Sequence, residues 1–559
     1  MKTNNKFILL PILFLGLAII FSFSVQSVAA DSSAIYVNTS GNDAWNGQSA
    51  THTDPSSDIG PKKTIADAVN TVDNNGNVYI ANGVYNENSI DITKSMNIIG
   101  ESPDNTIINA QNQGNIFTTQ NNINVDIENI YFTNGNNRDG GAIYNTEGQL
   151  TINNCKFFTN NANSGGAVYS ISNTVNVENS GFSGNKACNG GAIFVTGGNL
   201  YVTNDVFTRN SATTGTGGSI YGTGANLIGT NDYFVNNNAV CSGGAIHETG
   251  YLDIVNSNFV TNRISQEYGG AIFHTGSTIS LINSHFTGNT ALVGGAVTNV
   301  QSDMTINNCN FTSNIADGRG GAIVNTLGSL TITGSYFISN VAKIGFGGAL
   351  YHSTGVLSFS NNTFSRNIAQ EGGAGIYVAC FGNSKIDKNI FTYNQAARGS
   401  ALYDFNGILN VSNSNFTGNS ASANGGAVYN DNTGLAKPND STINFSKCIF
   451  HDNVATQFGG ALYNGGAINL SYCTLTNNKA TDGHGGAVAN AQGIVTVNYS
   501  TLCYNSARIS GGVIYSNLGH LSVTNNIFHD NTGVGVAPYQ NKGIYYWGAT
   551  VTILNNKFV

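Results

Sequence analysis

The hexapeptide GGAIYN at residues 140–145 returns as GGAVYS at 165–170, GGAIFV at 190–195, GGSIYG at 217–222 and GGAIHE at 243–248. A phrase recurring at so short a period leaves little freedom of fold. Each unit is one supersecondary turn that cannot bury its own apolar face, and only stacking on the next unit makes a core. A second signature keeps phase with the first. Its column runs Phe132, Phe157, Phe182, Phe207, Phe234, Phe259, Phe286, Phe311, Phe337, Phe364, Phe391, Phe416, Phe450, Leu475, Leu502, Phe528 and Phe558. Successive members lie 25–27 residues apart, except 34 between Phe416 and Phe450 and 30 at the end.

Within a unit the pattern is that of short strands. Aliphatic residues stand seven and five before the phenylalanine, as Leu150 and Ile152 do. That is period two, a strand with one buried face. Three before the phenylalanine an asparagine recurs, from Asn129 and Asn154 to Asn555. Asparagine tolerates left-handed backbone and suits a turn there, and amides stacked coil on coil can form a ladder. The glycine pair permits a tight corner. The residue two beyond it is aliphatic in the clear copies (Ile143, Val168, Ile193, Ile220), so it points inward. Three strands and three turns per unit describe an all-β solenoid, a parallel β-helix of about 25–27 residues per coil. The alternative is a β-propeller, but its repeats run to roughly 40 residues or more.

Composition agrees. Of 559 residues only 9% are charged, while 69 are glycine and 6 proline. Gly-rich, Pro-poor and rich in β-branched residues is neither collagen nor a disordered linker. The net charge of −8 carries no basic stripe, so nucleic acid is not an expected partner. Residues 1–30 read as a signal peptide: Lys2 and Lys6, an apolar run from Phe7 to about Phe23, then Val28-Ala29-Ala30. The chain beyond is expected to be secreted or held at the cell surface, with an uncleaved anchor as the alternative. The eight cysteines are too sparse for a disulfide framework, and no spacing indicates a zinc site.

The paired signatures, GGAI at 140–143 with FFTN at 157–160 and onward to FHDN at 528–531, resemble the repeats of chlamydial polymorphic membrane proteins. They resemble still more the adhesin-like surface proteins of methanogenic archaea. The resemblance covers about residues 125–531 and implies a right-handed parallel β-helix at a cell surface. The N-terminal part, IYVNTSGNDAWNGQ (35–48), TIADAVNTV (64–72) and VYIANGVYNENSIDI (78–92), is similar to the start of pectate-lyase-like β-helices. Ile65, Ala68, Val69 and Val72 follow helical spacing, so a short helix is expected to cap the first coil. The domain reading is a signal peptide at 1–30, a cap with first coils at 31–124, and the repeat at 125–559 with a loop inserted near 430–441. The strand-like end ILNNKFV leaves an edge that invites self-association.

Chemistry is harder to find. β-helix lyases and hydrolases need converging acids. The best pair is Asp205 and Asp232, both two before the phenylalanine in successive coils. Their column otherwise holds small polar residues, which favours a structural role and no catalytic residue. Cys448 and Cys473 share that column in adjacent coils, at a spacing a disulfide would permit; buried thiols are the alternative. If Ile143 points in, Tyr144 points out. That column carries Tyr144, Tyr169, Phe194, Tyr221, Tyr351, Tyr377, Tyr403, Tyr429 and Tyr463. An aromatic ladder there could stack on sugars or on a protein partner; the plainer reading is rings stiffening the sheet. N-x-S/T sequons occur at Asn38, Asn310, Asn361, Asn410, Asn415, Asn439, Asn444, Asn469 and Asn498.

The expected function is therefore that of a non-catalytic, adhesin-like surface protein binding glycans or proteins of other cells. The competing one is a polysaccharide lyase or hydrolase. No metal or cofactor is called for; calcium would accompany only a lyase, and no residue pattern indicates it.

Overall fold

The alternation around Leu150 and Ile152 becomes the longest strand of each coil. Gln149–Asn153 buries Leu150 and Ile152 and turns Thr151 outward. Its neighbours Asn124–Glu128 and Thr174–Glu178 pair with it in parallel, and the register sets like on like: Val125, Leu150, Val175. Repetition of this pairing gives a 20-stranded long-strand sheet. The computed structural model describes residues 32–171, 173–380, 382–433, 441–533 and 543–559. The expected signal peptide at 1–30 and most of the expected inserted loop lie outside these residues. The chain is an all-β right-handed parallel β-helix of about 18 turns.

Two further sheets follow from the two signatures. The glycine corner leads into a strand such as Ile143–Thr146, whose Ile143 pairs with Val168 of the next coil. The phenylalanine sits at the centre of a third strand, Lys156–Phe158. From Phe132 to Phe450 these rings stack in one continuous column, with centroids 4.6–5.1 Å apart and planes within 10°. All are buried, and with the Ile, Val and Leu columns they form one core running the length of the rod. A coil of three strands was expected. The structure adds a fourth, the two-residue strand of Lys186–Ala187 and its counterparts, which makes a 13-stranded sheet whose buried residue is alanine in every strand but Arg263–Ile264.

The glycine pair has two separate reasons. Gly140 has φ +63° and Gly165 φ +61°, the left-handed region. Gly141 has an ordinary φ, but a Cβ there would lie 2.2 Å from the carbonyl oxygen of Gly166 in the next coil. The first glycine therefore makes the corner, and the second lets adjacent coils approach.

The asparagine ladder is not where the sequence placed it. The asparagines three before the phenylalanine do adopt positive φ, from Asn129 (59°) to Asn555 (56°). Their side chains lie at the surface and pair only in places, as Asn154 Nδ2 does with Asn129 Oδ1 at 2.7 Å. The unbroken ladder runs through the asparagines three after the phenylalanine, from Asn160 to Asn531. Asn185 shows the unit. Its backbone N–H and its side-chain amide both donate to Asn210 Oδ1 at 3.0 Å, and the amide also donates to the Phe157 carbonyl at 3.0 Å. Each such side chain closes the backbone groups of the turn that would otherwise be buried unpaired.

The helix expected at the N-terminus is Ile65–Thr71. Thr64 caps it, accepting from the Asp67 N–H at 3.2 Å, and Glu87 accepts from the N–H groups of Ile65 and Ala66 at 2.8 and 3.0 Å. Ile65, Ala68 and Val69 face the first coils and close that end of the core. Beyond it the strands Gly76–Ile80, Met96–Gly100 and Asn124–Glu128 pair in series, so the cap segment runs into the repeat through one continuous sheet.

Candidate functional site

The aromatic column begins where the glycine corner ends. Ile143 turns inward and Tyr144 outward, and parallel register then stacks ring on ring. Tyr144 and Tyr169 lie 5.4 Å apart with planes 7° from parallel; Tyr169 and Phe194 lie 5.1 Å apart, and Phe194 and Tyr221 4.7 Å. Thr298 and Val324 interrupt the column. It resumes as Tyr351, Tyr377, Tyr403, Tyr429 and Tyr463, with centroids 4.6–5.3 Å apart.

These rings are less open than period two implies. Tyr144, Tyr169, Phe194, Tyr221, Tyr351, Tyr429 and Tyr463 are half-buried, and Tyr377 and Tyr403 are only 8% and 3% exposed. Residues of the glycine corners fold over them. Phe346 packs on Tyr377 at 4.6 Å and on Tyr403 at 5.3 Å; the Arg319 guanidinium lies 4.7 Å over Tyr351. Tyr403 donates its hydroxyl to Asp431 at 2.6 Å. Burial raises the pKa of Tyr377, Tyr403, Tyr429 and Tyr463. Between Tyr351 and Tyr463 the column is therefore mainly a structural stack. Its first block, Tyr144 to Tyr221, leaves four successive half-buried rings at the surface.

Asp205 and Asp232 are brought together, but inside the wall and not in a groove. Both are 0% exposed. Asp205 Oδ1 accepts the Ser180 N–H at 2.6 Å and its Oδ2 the Thr203 N–H at 3.0 Å; Asp232 Oδ1 accepts the Asp205 N–H at 2.9 Å. Other coils use Ser257, Ser284 or Asn362 for the same task. Burial pushes the Asp205 carboxyl up to about 7 and that of Asp232 to about 8. Cys448 and Cys473 stand in the same column as neighbouring buried thiols, without a disulfide. A hydrogen bond to Cys473, together with burial, raises the Cys448 pKa far above the usual thiol range.

Sequence reasoning missed a second buried polar column, two residues beyond the inward aliphatic of each corner strand. It holds Asn145, Ser170, Glu248, His274, Asn299, Asn325, His352, Asp404 and Asn430. His274 bridges Asn299 Oδ1 (2.8 Å) and the Gly250 carbonyl (2.9 Å). A Cβ on Gly222 would come within 1.7 Å of Glu248 Oε2, so that glycine makes room for the carboxyl. Burial raises Glu248 and Asp404 to about 8 and lowers His352 to about 4. Period two was the available signal, since a residue two beyond an inward one also points inward.

Also missed was the outer face of the long-strand sheet near its C-terminal end. Here Asn410 with Ser412, Asn444 with Ser446, and Asn469 with Ser471 form outward pairs on three successive strands. They line a shallow depression of about 360 Å³. Asn444 Nδ2 donates to Asn410 Oδ1 at 3.1 Å, and Asn469 Nδ2 to Asn444 Oδ1 at 2.8 Å. Tyr472 and Tyr499 follow directly at the bordering turn, stacked at 5.3 Å with planes 10° apart.

Comparison with known proteins bears on the fold. The family model described as right handed beta helix region matches residues 270–439, and that of the Chlamydia polymorphic membrane protein repeat matches residues 182–196. No curated protein matches the chain. Among solved structures, the chain is similar to the catalytic domain of a GH87 alpha-1,3-glucanase in complex with nigerose. The identity is 11%, over 79% of this chain and 67% of that one, with a TM-score of 0.21. It is also similar to the PL6 family alginate lyase AlyGC, at 10% identity over 88% of this chain and 98% of that one, TM-score 0.22. Likeness at this level carries no argument. The family-model matches and the geometry agree on architecture: this chain is a right-handed parallel β-helix, with the polymorphic membrane protein repeat matched at residues 182–196.

Proposed function

We propose that this chain is a non-catalytic, adhesin-like protein, secreted or held at the cell surface, whose rod offers a repetitive face to glycans or to partners on other cells. The observation that carries the reading is recurrence at the surface. From Tyr144 to Tyr221 the same kind of ring edge returns on every coil. Weak contacts repeated along a stiff rod combine through effective concentration into firm attachment. The match to a repeat named for membrane proteins is in keeping with an exported chain.

The enzyme reading draws less support. Asp205 and Asp232, the acids that the repeat sets in one column on successive coils, are sealed from solvent and hold backbone N–H groups. A general acid or nucleophile must reach its substrate. The test is retention of the purified full chain on insoluble polysaccharides and on whole cells, with the supernatant assayed for released sugar. Retention without release is expected, reduced several-fold when Tyr144, Tyr169 and Tyr221 are all changed to alanine. Released sugar would overturn the reading in favour of a lyase or hydrolase.

A further inference from the structure

The geometry points to a binding site for an uncharged polysaccharide on the outer face of the long-strand sheet between Asn410 and Asn498, with Tyr472 and Tyr499 as its aromatic border. The inference rests on the binding reading above and gives it a place on the rod.

Backbone strain is the first argument. In most coils the left-handed position before the phenylalanine strand is asparagine, which tolerates it. Tyr472 (φ 55°) and Tyr499 (φ 48°) adopt the same conformation with bulky side chains. Burial does not compensate, because the two are 60% and 54% exposed. Tyr393 and Tyr504 show the same combination singly at another turn; Tyr472 and Tyr499 differ in forming a stacked pair on successive coils. Strained residues of this kind cluster at ligand-binding sites.

Position is the second argument. A side chain at this turn lies against the outer column of the preceding coil, as Asn413 Nδ2 does on Asp387 Oδ1 at 2.8 Å. Tyr472 and Tyr499 hold the same turn position, and each directly follows a residue that lines the depression, Ser471 and Asn498. The turn that carries the rings therefore borders the amide and hydroxyl array of Asn410, Asn444 and Asn469.

Chemistry selects the ligand. No Asp, Glu, Lys or Arg lines the depression, although Lys447 stands exposed in the same turn column one coil before Tyr472, so the floor itself offers no charge to an ionic polymer. Each amide has two N–H groups and two lone pairs, and stacking within the array occupies only part of them. The remainder suits hydroxyls that donate and accept. A pyranose adds an apolar C–H face, which an exposed ring can cover. The array repeats once per coil, about 4.8 Å, so a chain laid along the rod would meet equivalent groups repeatedly. The same strand alternation explains why these asparagines are sequons: N-x-S here is the outward pair of a strand.

The test uses the full chain on insoluble neutral polymers (cellulose, chitin and mannan), with polygalacturonate as the acidic contrast. The diagnostic variant is Tyr472→Asn with Tyr499→Asn, since asparagine is what other coils place there. Retention on a neutral polymer, cut at least tenfold in the variant with Tm unchanged or raised, is the expected result. Undiminished retention by the variant would overturn this site and leave the general binding reading standing. Absence of retention of the unaltered chain on any polymer or on cells would remove both. Retention on polygalacturonate alone would overturn the site, as would mass spectrometry finding a covalent glycan on Asn410, Asn444 or Asn469.

Discussion

Asp232 Oδ1 accepts the backbone N–H of Asp205 at 2.9 Å. The two carboxyls that look like a catalytic pair in the sequence are rungs of an acceptor column, each closing the turn of the coil before it. Because desolvation raises both, they are held largely neutral where unfolded aspartates would be charged.

That raises a prediction with a definite sign. A carboxyl whose folded pKa exceeds its unfolded value near 4 stabilises fully below pH 4 and loses that contribution as pH rises toward 8. Asp205, Asp232, Glu248 and Asp404 all act in this sense. His247 and His352, lowered to about 4, act oppositely, but only between about pH 4 and 6.5. Above pH 6.5 the carboxyls alone remain, so denaturant midpoints should fall from pH 6.5 to pH 8. Asp232→Asn keeps the acceptor and removes the charge, and should flatten that decline. A midpoint rising over this interval would refute the account.

The buried asparagine ladder should be costly to interrupt. Asn314 Oδ1 accepts both the backbone N–H and the side-chain amide of Asn289, at 3.0 Å. Asn314→Ala strands both donors in the interior, a loss on the order of 3 kcal/mol. Because coils contact only their neighbours, the damage should be local, visible as new protease cleavage near residue 314. Resistance to cleavage equal to that of the unaltered chain would count against it.

The two roles of glycine separate in a pair of variants. A Cβ on Gly321 would lie 2.0 Å from the Gly348 carbonyl oxygen of the next coil, whereas one on Gly224 (φ +65°) meets nothing within 4 Å. Gly224→Ala should cost only the left-handed strain, roughly 1–2 kcal/mol. Gly321→Ala should abolish soluble, folded protein. Similar thermal stability in the two would show that coil approach is not the reason for the second glycine.

Thiol accessibility is a fourth check. Cys155, Cys309, Cys380, Cys448 and Cys473 are buried, whereas Cys188, Cys241 and Cys503 are half-buried. Burial raises the thiols of Cys155 and Cys309 to about 12, away from the reactive thiolate. Maleimide on the native chain should label Cys188, Cys241 and Cys503 ahead of the rest. A Cys448–Cys473 cross-link in unreduced peptide maps would contradict the thiol pair.

The sequence alone was enough for three of the coil's four strands. The coil's length, the inward Ile143 and Phe157 columns, the glycine corner and the left-handed turn at Asn154 are local patterns, and repetition at a fixed period sets each on its own kind in the next coil. Depth was decided by tertiary structure. Asn154 and Asn160 are the same residue type near one phenylalanine, yet the first lies at the surface and the second has no exposure. Strand alternation gives direction only within strands; in a turn, the closing of the coil decides which side chain is enclosed. For the same reason Asp205 is a rung inside the wall, and Tyr403 is covered by Phe346 from an adjoining corner. Tyr472 and Tyr499 stand open to water, a difference that exists only once the coils are stacked.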